Sequence, residues 1–147
     1  MVCLGNICRS PLAEGIMLKL IDEKKANIEV DSAGTSNYHI GEMPDARTIA
    51  NALKHKIDLT PLRARQFIAD DFDNFDLIYV MDESNKANVL KLAVNDAQKQ
   101  KVKLFLSQNP NCKTLEVPDP YFGGEQGFEN VFQMVYDTCK IITTNYL

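Results

Sequence analysis

The chain has 147 residues, of which 45% are hydrophobic and 24% charged, and its formal net charge at neutral pH is −4. These values are typical of a single globular domain and exclude disordered, collagen-like and membrane-embedded chains. The sequence contains no basic cluster, so it offers no electrostatic footprint for nucleic acid. We therefore expect one domain over residues 1–147 and no nucleic-acid partner.

Several features of the sequence bear on where the protein works. No apolar run approaches the roughly 20 residues that a membrane span needs, and the N-terminus lacks the basic-then-apolar pattern of a secretory signal. The four cysteines are too few and too scattered for a disulfide scaffold. We expect a cytoplasmic protein without membrane association, in which cysteines are free, catalytic or metal-binding.

The predicted secondary-structure elements alternate between strands and helices. Apolar runs predict strands at residues 1–3, 28–31, 77–80 and 102–106, and apolar residues at helical spacing predict helices that begin near residues 11, 46, 85 and 128. This alternation predicts a three-layer α/β/α domain with a central four-stranded parallel sheet and right-handed crossovers. Ligands of such sheets bind beyond the carboxyl ends of the strands.

A thiol and a guanidinium stand at the two ends of a short loop near the N-terminus. Cys3 follows the first predicted strand and Arg9 opens the next helix, with Gly5 and Asn6 supplying a permissive backbone between them. Five intervening residues can curl so that backbone N–H groups point inward, and the helix N-terminus adds partial positive charge. The spacing therefore predicts an anion-binding loop.

The residue types of this loop suit covalent phosphoryl transfer. The field that holds a phosphate also favours a thiolate, and cysteines in such positions can have pKa values lowered to about 3.5 to 7.5. Cys3 is therefore the candidate nucleophile. Arg9 can bind two phosphoryl oxygens bidentately, and the Ser10 hydroxyl could donate a hydrogen bond to the sulfur as it leaves.

Cleavage of an aryl phosphate also needs an acid near the leaving oxygen. Asp119 is the candidate, because it lies in a segment with two prolines, two aromatic residues and two glycines, at residues 117–124. On residue chemistry alone, an ordinary turn aspartate is an equally good interpretation. Residue chemistry alone therefore does not decide the role of Asp119.

Two motifs of the chain resemble those of the low-molecular-weight protein-tyrosine phosphatase family. They are Cys-Leu-Gly-Asn-Ile-Cys-Arg-Ser-Pro at residues 3–11 and Asp-Pro-Tyr-Phe-Gly-Gly at residues 119–124. Shorter segments match in order over nearly the whole chain. The resemblance implies a nucleophilic Cys3, a phosphate-binding Arg9 and a general acid Asp119, in a two-step reaction through a cysteinyl-phosphate. It implies no metal and no other cofactor.

The resemblance also implies how the substrate is held. Ser32 would support the loop, together with Asn6 and Ser10. The substrate-binding residues would be the loop itself and two aromatic walls, namely Leu4, Gly5, Asn6, Ile7, Cys8, Ser10, Tyr38 and Tyr121. We expect a tyrosine-phosphorylated protein as substrate, with a bacterial tyrosine kinase as one candidate, and a monomer or weak dimer.

Two alternatives stay open. A bacterial branch of the family hydrolyses phosphoarginine, but that branch tends to carry threonine at the position of Ile7, so the bulkier Ile7 together with Tyr121 favours an aryl phosphate. A catalytically idle phosphate-binding module is the second. Relatives usually carry several more apolar residues before the nucleophile, so we expect a truncated first strand. We also expect Cys8 to trap an oxidised Cys3 as a disulfide.

Overall fold

The computed structural model describes residues 1–120 and 123–146. The strands are β1 (Val2–Cys3), β2 (Ala33–Gly34), β3 (Ile78–Val80) and β4 (Val102–Leu104). The helices are α1 (Arg9–Lys24), α2 (Ala46–Lys54), α3 (Asp71–Asn74), α4 (Glu83–Leu90), α5 (Asp96–Lys101) and α6 (Gly124–Asn145), and a 3₁₀ helix (Phe105–Gln108) follows β4. Within the described residues, no helix combines the length and the apolar character that crossing a membrane requires.

The four strands form one parallel sheet in the order β2-β1-β3-β4. Side chains alternate along β3, so that Tyr79 packs in the core with α1, α2 and α6, whereas Ile78 and Val80 pack in a second core with α3 and α4. Both faces of the sheet are therefore covered by helices. The predicted three-layer α/β/α architecture with a four-stranded parallel sheet is confirmed.

The position of the second strand was predicted wrongly. Residues 28–31 are irregular, and β2 begins two residues later at Ala33. The register explains this, because Val2 pairs with Ala33, and the Ala33 N–H donates to the Met1 carbonyl over 2.9 Å. Residues 28–31 therefore have no strand neighbour in the described chain. Ser32 consequently lies just before β2, not in the loop that follows a strand.

Helix α5 was not predicted at all. It buries none of its residues, so it carries no apolar periodicity. Its start is fixed instead by a cap, in which the Asn95 side chain accepts a 2.8 Å hydrogen bond from the Gln98 N–H. The same device moves the start of α4 ahead of the predicted residue, because Asp82 accepts from the Asn85 N–H over 2.8 Å.

Candidate active site

The loop between β1 and α1 wraps around the Cys3 sulfur. The Asn6 N–H donates to Cys3 Sγ over 3.2 Å, and Ser10 Oγ lies 2.9 Å from the same sulfur. Asn6 reaches this position with φ of 56°, in the left-handed region that asparagine tolerates better than most residues. The thiol of Cys3 is therefore held at the carboxyl end of β1, next to the start of α1.

The Asn6 side chain fixes the loop from behind. Its Nδ2 donates to Ser10 Oγ over 2.8 Å and to Ser32 Oγ over 2.9 Å, and its Oδ1 accepts from the Arg65 N–H over 3.0 Å. The Ser32 hydroxyl in turn donates to the Glu14 carboxylate. Burial raises the pKa of Glu14, and the bond from Ser32 opposes that rise. A buried polar network thus joins the loop to α1 and to the segment before β2.

Arg9 is almost fully buried and is oriented by two acceptors. Its Nη1 donates to Asp82 Oδ2 over 2.7 Å and to the Val117 carbonyl over 3.0 Å. Both hydrogen bonds that the Arg9 side chain makes to the described residues come from Nη1. The guanidinium is therefore fixed in orientation while its Nε and Nη2 atoms stay available for a ligand.

Val117 connects the segment that carries Asp119 to the rest of the site. The Val117 N–H donates to the Met81 carbonyl at the end of β3 over 2.8 Å, and its carbonyl accepts from Arg9. The side chain of Val117 is buried. Asp119 follows only two residues later, so these two bonds hold the segment that leads to it beside the cavity.

These elements enclose one small cavity of about 150 Å³. It is lined by Cys3, Leu4, Gly5, Ile7, Cys8, Arg9, Tyr38, His39 and Asp119. Asn6, Ser10 and Ser32 lie behind this lining, in the network described above. The Tyr38 side chain is strongly exposed at the rim. Tyr121 lies outside the described residues.

Three residues of this region were not predicted from the sequence. His39 lines the cavity, and its Nδ1 lies 2.6 Å from Glu42 Oε2. Gly34 permits close approach of the loop, because a Cβ there would lie 2.7 Å from the Leu4 carbonyl oxygen. Asn85 accepts from the Leu4 N–H over 3.3 Å, in the amide orientation that also satisfies Asp82.

The second cysteine of the loop differs chemically from an exposed thiol. Burial raises the pKa of Cys8 to about 12, and the neighbouring Thr48 side chain only partly opposes this. Cys8 is therefore a protonated thiol at neutral pH. Since the thiolate is the nucleophilic form of cysteine, the raised pKa makes Cys8 react more slowly than an exposed thiol, including with an oxidised Cys3 in the same loop.

Comparison with known proteins identifies the family of the chain. The model of the low molecular weight phosphotyrosine protein phosphatase family matches residues 1–145. The low molecular weight phosphotyrosine protein phosphatase of Gallus gallus is 43% identical over 143 residues, which cover 95% of this chain and 89% of that protein. A protein tyrosine phosphatase from Entamoeba histolytica has a similar crystal structure, with a TM-score of 0.91 and 38% identity over 97% of this chain and 92% of that one.

A third similar structure is that of a Drosophila arginine phosphatase, with a TM-score of 0.91 and 31% identity over 99% of this chain and 94% of that one. The likeness therefore extends to proteins with different phosphorylated substrates, and all of these matches span nearly the full length of both partners. On the family match and the sequence identities together, the chain belongs to the low-molecular-weight phosphotyrosine protein phosphatases, a family of hydrolases that act on phosphoproteins.

Proposed function

We propose that this chain is a metal-independent protein-tyrosine phosphatase in which Cys3 is the nucleophile, Arg9 binds the phosphoryl group and Asp119 is the general acid. The observation that carries the proposal is the single cavity of about 150 Å³ that all three residues line. A phosphoryl group in that cavity would meet the sulfur, the free edge of the guanidinium and the carboxyl group. Family membership makes the same reaction the expected one.

The first step is the transfer of the phosphoryl group to sulfur. The Cys3 thiolate attacks phosphorus, the bond from phosphorus to the phenolic oxygen breaks, and the Asp119 proton goes to that oxygen. Arg9 would bind two of the remaining phosphoryl oxygens through Nε and Nη2, because Nη1 is already engaged with Asp82 and Val117. The phenol leaves, and a cysteinyl-phosphate remains.

The second step is hydrolysis of the cysteinyl-phosphate. A water molecule attacks phosphorus while the Asp119 carboxylate takes its proton, and the bond from sulfur to phosphorus breaks. The electron pair returns to Cys3 as thiolate, and inorganic phosphate leaves. Ser10 Oγ, which lies 2.9 Å from the sulfur, can stabilise the departing thiolate by donating a hydrogen bond.

The test is the hydrolysis of p-nitrophenyl phosphate in the presence of EDTA. We expect turnover by the wild type, none by Cys3→Ser, and a kcat lowered by about 10²- to 10⁴-fold in Asp119→Asn. Cys112→Ser and Asp73→Asn, which make the same chemical changes away from the cavity, should behave as wild type. An inactive wild type would leave an idle phosphate-binding module as the better interpretation.

The role of Asp119 has a sharper signature in the choice of leaving group. Phenolate is a poorer leaving group than p-nitrophenolate and needs the proton more. Asp119→Asn should therefore slow phenyl phosphate hydrolysis by a larger factor than p-nitrophenyl phosphate hydrolysis. Equal losses on the two substrates would contradict the assignment of Asp119 as the acid.

Phosphoarginine hydrolysis is the second candidate, and the structural likeness to the Drosophila arginine phosphatase favours testing it. Ile7 lines the cavity and argues for the flat ring of an aryl phosphate. We expect kcat/KM for a phosphotyrosine peptide to exceed that for the matched phosphoarginine peptide by at least about tenfold. The reverse order would replace the substrate assignment and keep the chemistry on Cys3.

A further inference from the structure

A second groove opens directly beside the phosphate cavity. It has a volume of about 450 Å³ and shares Leu4 and Tyr38 with that cavity. Its lining includes the buried side chains of Phe67 and Val89, together with Lys91 and Leu92, which follow α4. We name it the Lys91 groove. Because the groove and the cavity share two lining residues, we expect a chain segment that continues from a substrate bound at Cys3 to reach the groove.

Part of the apolar surface of the Lys91 groove is exposed to solvent. The side chains of Leu4 and Leu92 are 43% and 42% exposed, and that of Tyr38 is 72% exposed. Apolar surface of this kind, next to a binding cavity and rimmed by polar side chains, is typical of a contact surface for a ligand or partner. The groove therefore offers burial to an apolar side chain of a substrate.

The charges on the two sides of the phosphate cavity are opposite. Of the described residues that line the Lys91 groove, Lys91 is the only charged one. A neighbouring groove of about 320 Å³, which also shares Leu4, is lined by the three carboxylates of Asp82, Glu116 and Asp119 together with the Arg9 guanidinium, so negative charge is in excess there. The chain as a whole is acidic, with a net charge of −4, so a groove beside the site whose described lining contains no carboxylate differs from the average surface. An acidic segment would be attracted to the first groove and repelled by the second.

Lys91 is placed to present its charge to the groove. Its Nζ lies 3.3 Å from the Asn88 amide oxygen, so the ammonium is held by a neutral partner. Its charge is therefore not neutralised by an ion pair with a carboxylate among the described residues. The ammonium can thus pair with a carboxylate from a substrate.

On the basis of the proposed phosphatase function, we propose that the Lys91 groove binds the substrate segment that adjoins the phosphotyrosine, taking an apolar side chain against Leu92 and a carboxylate at Lys91. The phosphate cavity then supplies the chemistry. The Lys91 groove then makes the enzyme prefer phosphoproteins that carry acidic and apolar residues beside the phosphotyrosine.

The experiment compares two phosphotyrosine peptides, one flanked on both sides by glutamate and one by lysine, with p-nitrophenyl phosphate as the substrate that lacks a flank. For the wild type we expect kcat/KM to be about 5- to 20-fold higher for the glutamate peptide. Lys91→Glu should remove or reverse this preference and leave p-nitrophenyl phosphate turnover unchanged within about twofold. Lys54→Glu, on α2, is the matched control for net charge and should keep the preference.

A separate variant tests the apolar contact at Leu92. Leu92→Ala should lower kcat/KM for a peptide with a leucine near the phosphotyrosine more than for the same peptide with alanine there. Because Leu92 is partly exposed, the variant should fold normally. Unchanged selectivity in Leu92→Ala would overturn the apolar contact at Leu92. Equal kcat/KM of the wild type for the glutamate and lysine peptides would overturn the contact with Lys91.

A binding measurement separates failure of the groove from failure of the function. The two peptides are titrated into Cys3→Ser and into Cys3→Ser with Lys91→Glu, which requires no turnover. Preferential binding of the glutamate peptide, lost with Lys91→Glu, supports the groove even if the wild type is inactive on every substrate. Equal binding to both variants rejects the groove even if the phosphatase assignment stands.

Discussion

Asn6 shows how a single residue can hold a reactive loop in shape. Its backbone N–H and its side chain reach Cys3, Ser10 and Ser32, while its φ of 56° turns the chain back toward the sulfur. A glycine could adopt the same φ, but it would leave the hydroxyls of Ser10 and Ser32 without their donor. Asparagine therefore combines a backbone conformation and three side-chain bonds in one position.

Cys8 leads to a prediction about oxidation. Peroxide converts a thiolate into a sulfenic acid, and a neighbouring thiol can condense with it to form a disulfide and water. We expect wild-type activity to recover fully with a thiol reductant after peroxide treatment, whereas Cys8→Ser recovers poorly because Cys3 oxidises further. Residual p-nitrophenyl phosphate turnover measures this, with Cys112→Ser as the control. Full recovery of Cys8→Ser would rule out protection by Cys8.

At the residue scale, the sequence alone could predict which residues lie together where they are close in the chain. Cys3 and Arg9 are the ends of one loop, so their proximity follows from spacing alone. Asp119 lies far along the chain, and only the family resemblance linked it to them. His39 could not be identified, because its place in the cavity wall depends on the path of the loop after β2 and on its pairing with Glu42.

At the scale of elements, β2 and the loop between β1 and α1 are packed so closely that a side chain cannot fit between them at Gly34. The Gly34 N–H donates to the Arg65 carbonyl over 2.9 Å, and the Thr35 N–H donates to the Cys3 carbonyl over 2.9 Å. These bonds draw β2 against Leu4 and Asn6. The absence of a Cβ at Gly34 is therefore a steric requirement rather than a matter of backbone freedom.

Gly34→Ala tests this close approach. The new methyl group would lie 2.7 Å from the Leu4 carbonyl oxygen and 3.1 Å from the Asn6 nitrogen, both backbone atoms. We expect the free energy of unfolding to fall by about 1–3 kcal/mol and kcat/KM to fall at least tenfold, because the loop must shift.

Gly127→Ala in α6 is the matched control for this substitution. Nothing lies within 4 Å of a Cβ built at Gly127, so alanine should be neutral or stabilise the helix by up to about 1 kcal/mol. Urea unfolding and p-nitrophenyl phosphate kinetics measure both variants. Equal behaviour of the two alanine variants would contradict the steric argument.

Element boundaries were predictable where burial gives a pattern and unpredictable where it does not. The run at residues 77–80 is buried on both faces and was correctly predicted as a strand. The alternation at residues 28–31 also looks like a strand, but a strand exists only where a neighbour pairs with it. Helix α5 lies on the surface and gives only a capping signal.

On the scale of the whole molecule, the outer helices α2 and α6 are joined by a charged contact. Glu129 accepts hydrogen bonds from Asn51 over 2.7 Å and lies 2.9 Å from His55 Nε2, while the His55 ring stacks on Phe132 with 3.7 Å between centroids. The hydrogen bond with His55 is the main cause that lowers the pKa of Glu129 to about 2, with Gln133 and Asn51 adding to it.

This contact makes part of the stability dependent on pH. The pKa of Glu129 is lower in the folded chain than its ordinary value of 4.5, so the contribution is fully present above about pH 4.5 and is lost as the pH falls toward 2. Since Glu129 is about one-third exposed, solvent screening limits the contribution to about 1 kcal/mol.

We expect Glu129→Gln to lower the free energy of unfolding at pH 6.5 and to reduce the further loss between pH 4.5 and pH 3. Urea unfolding at these three pH values measures both effects. Glu23→Gln, which removes an exposed pair with Lys19 on α1, is the control and should change the stability less. An identical acid profile for Glu129→Gln and the wild type would contradict the contribution of Glu129.

The two hydrogen bonds of the Val117 peptide unit have a consequence for how the site operates over time. They tie the segment of Asp119 to the end of β3 and to Arg9. If Asp119 is the acid, as we propose, its segment is already anchored and needs no lid that closes after the substrate arrives. The barrier to turnover should then lie in bond breaking and not in loop motion, so that solvent viscosity has little influence on the rate.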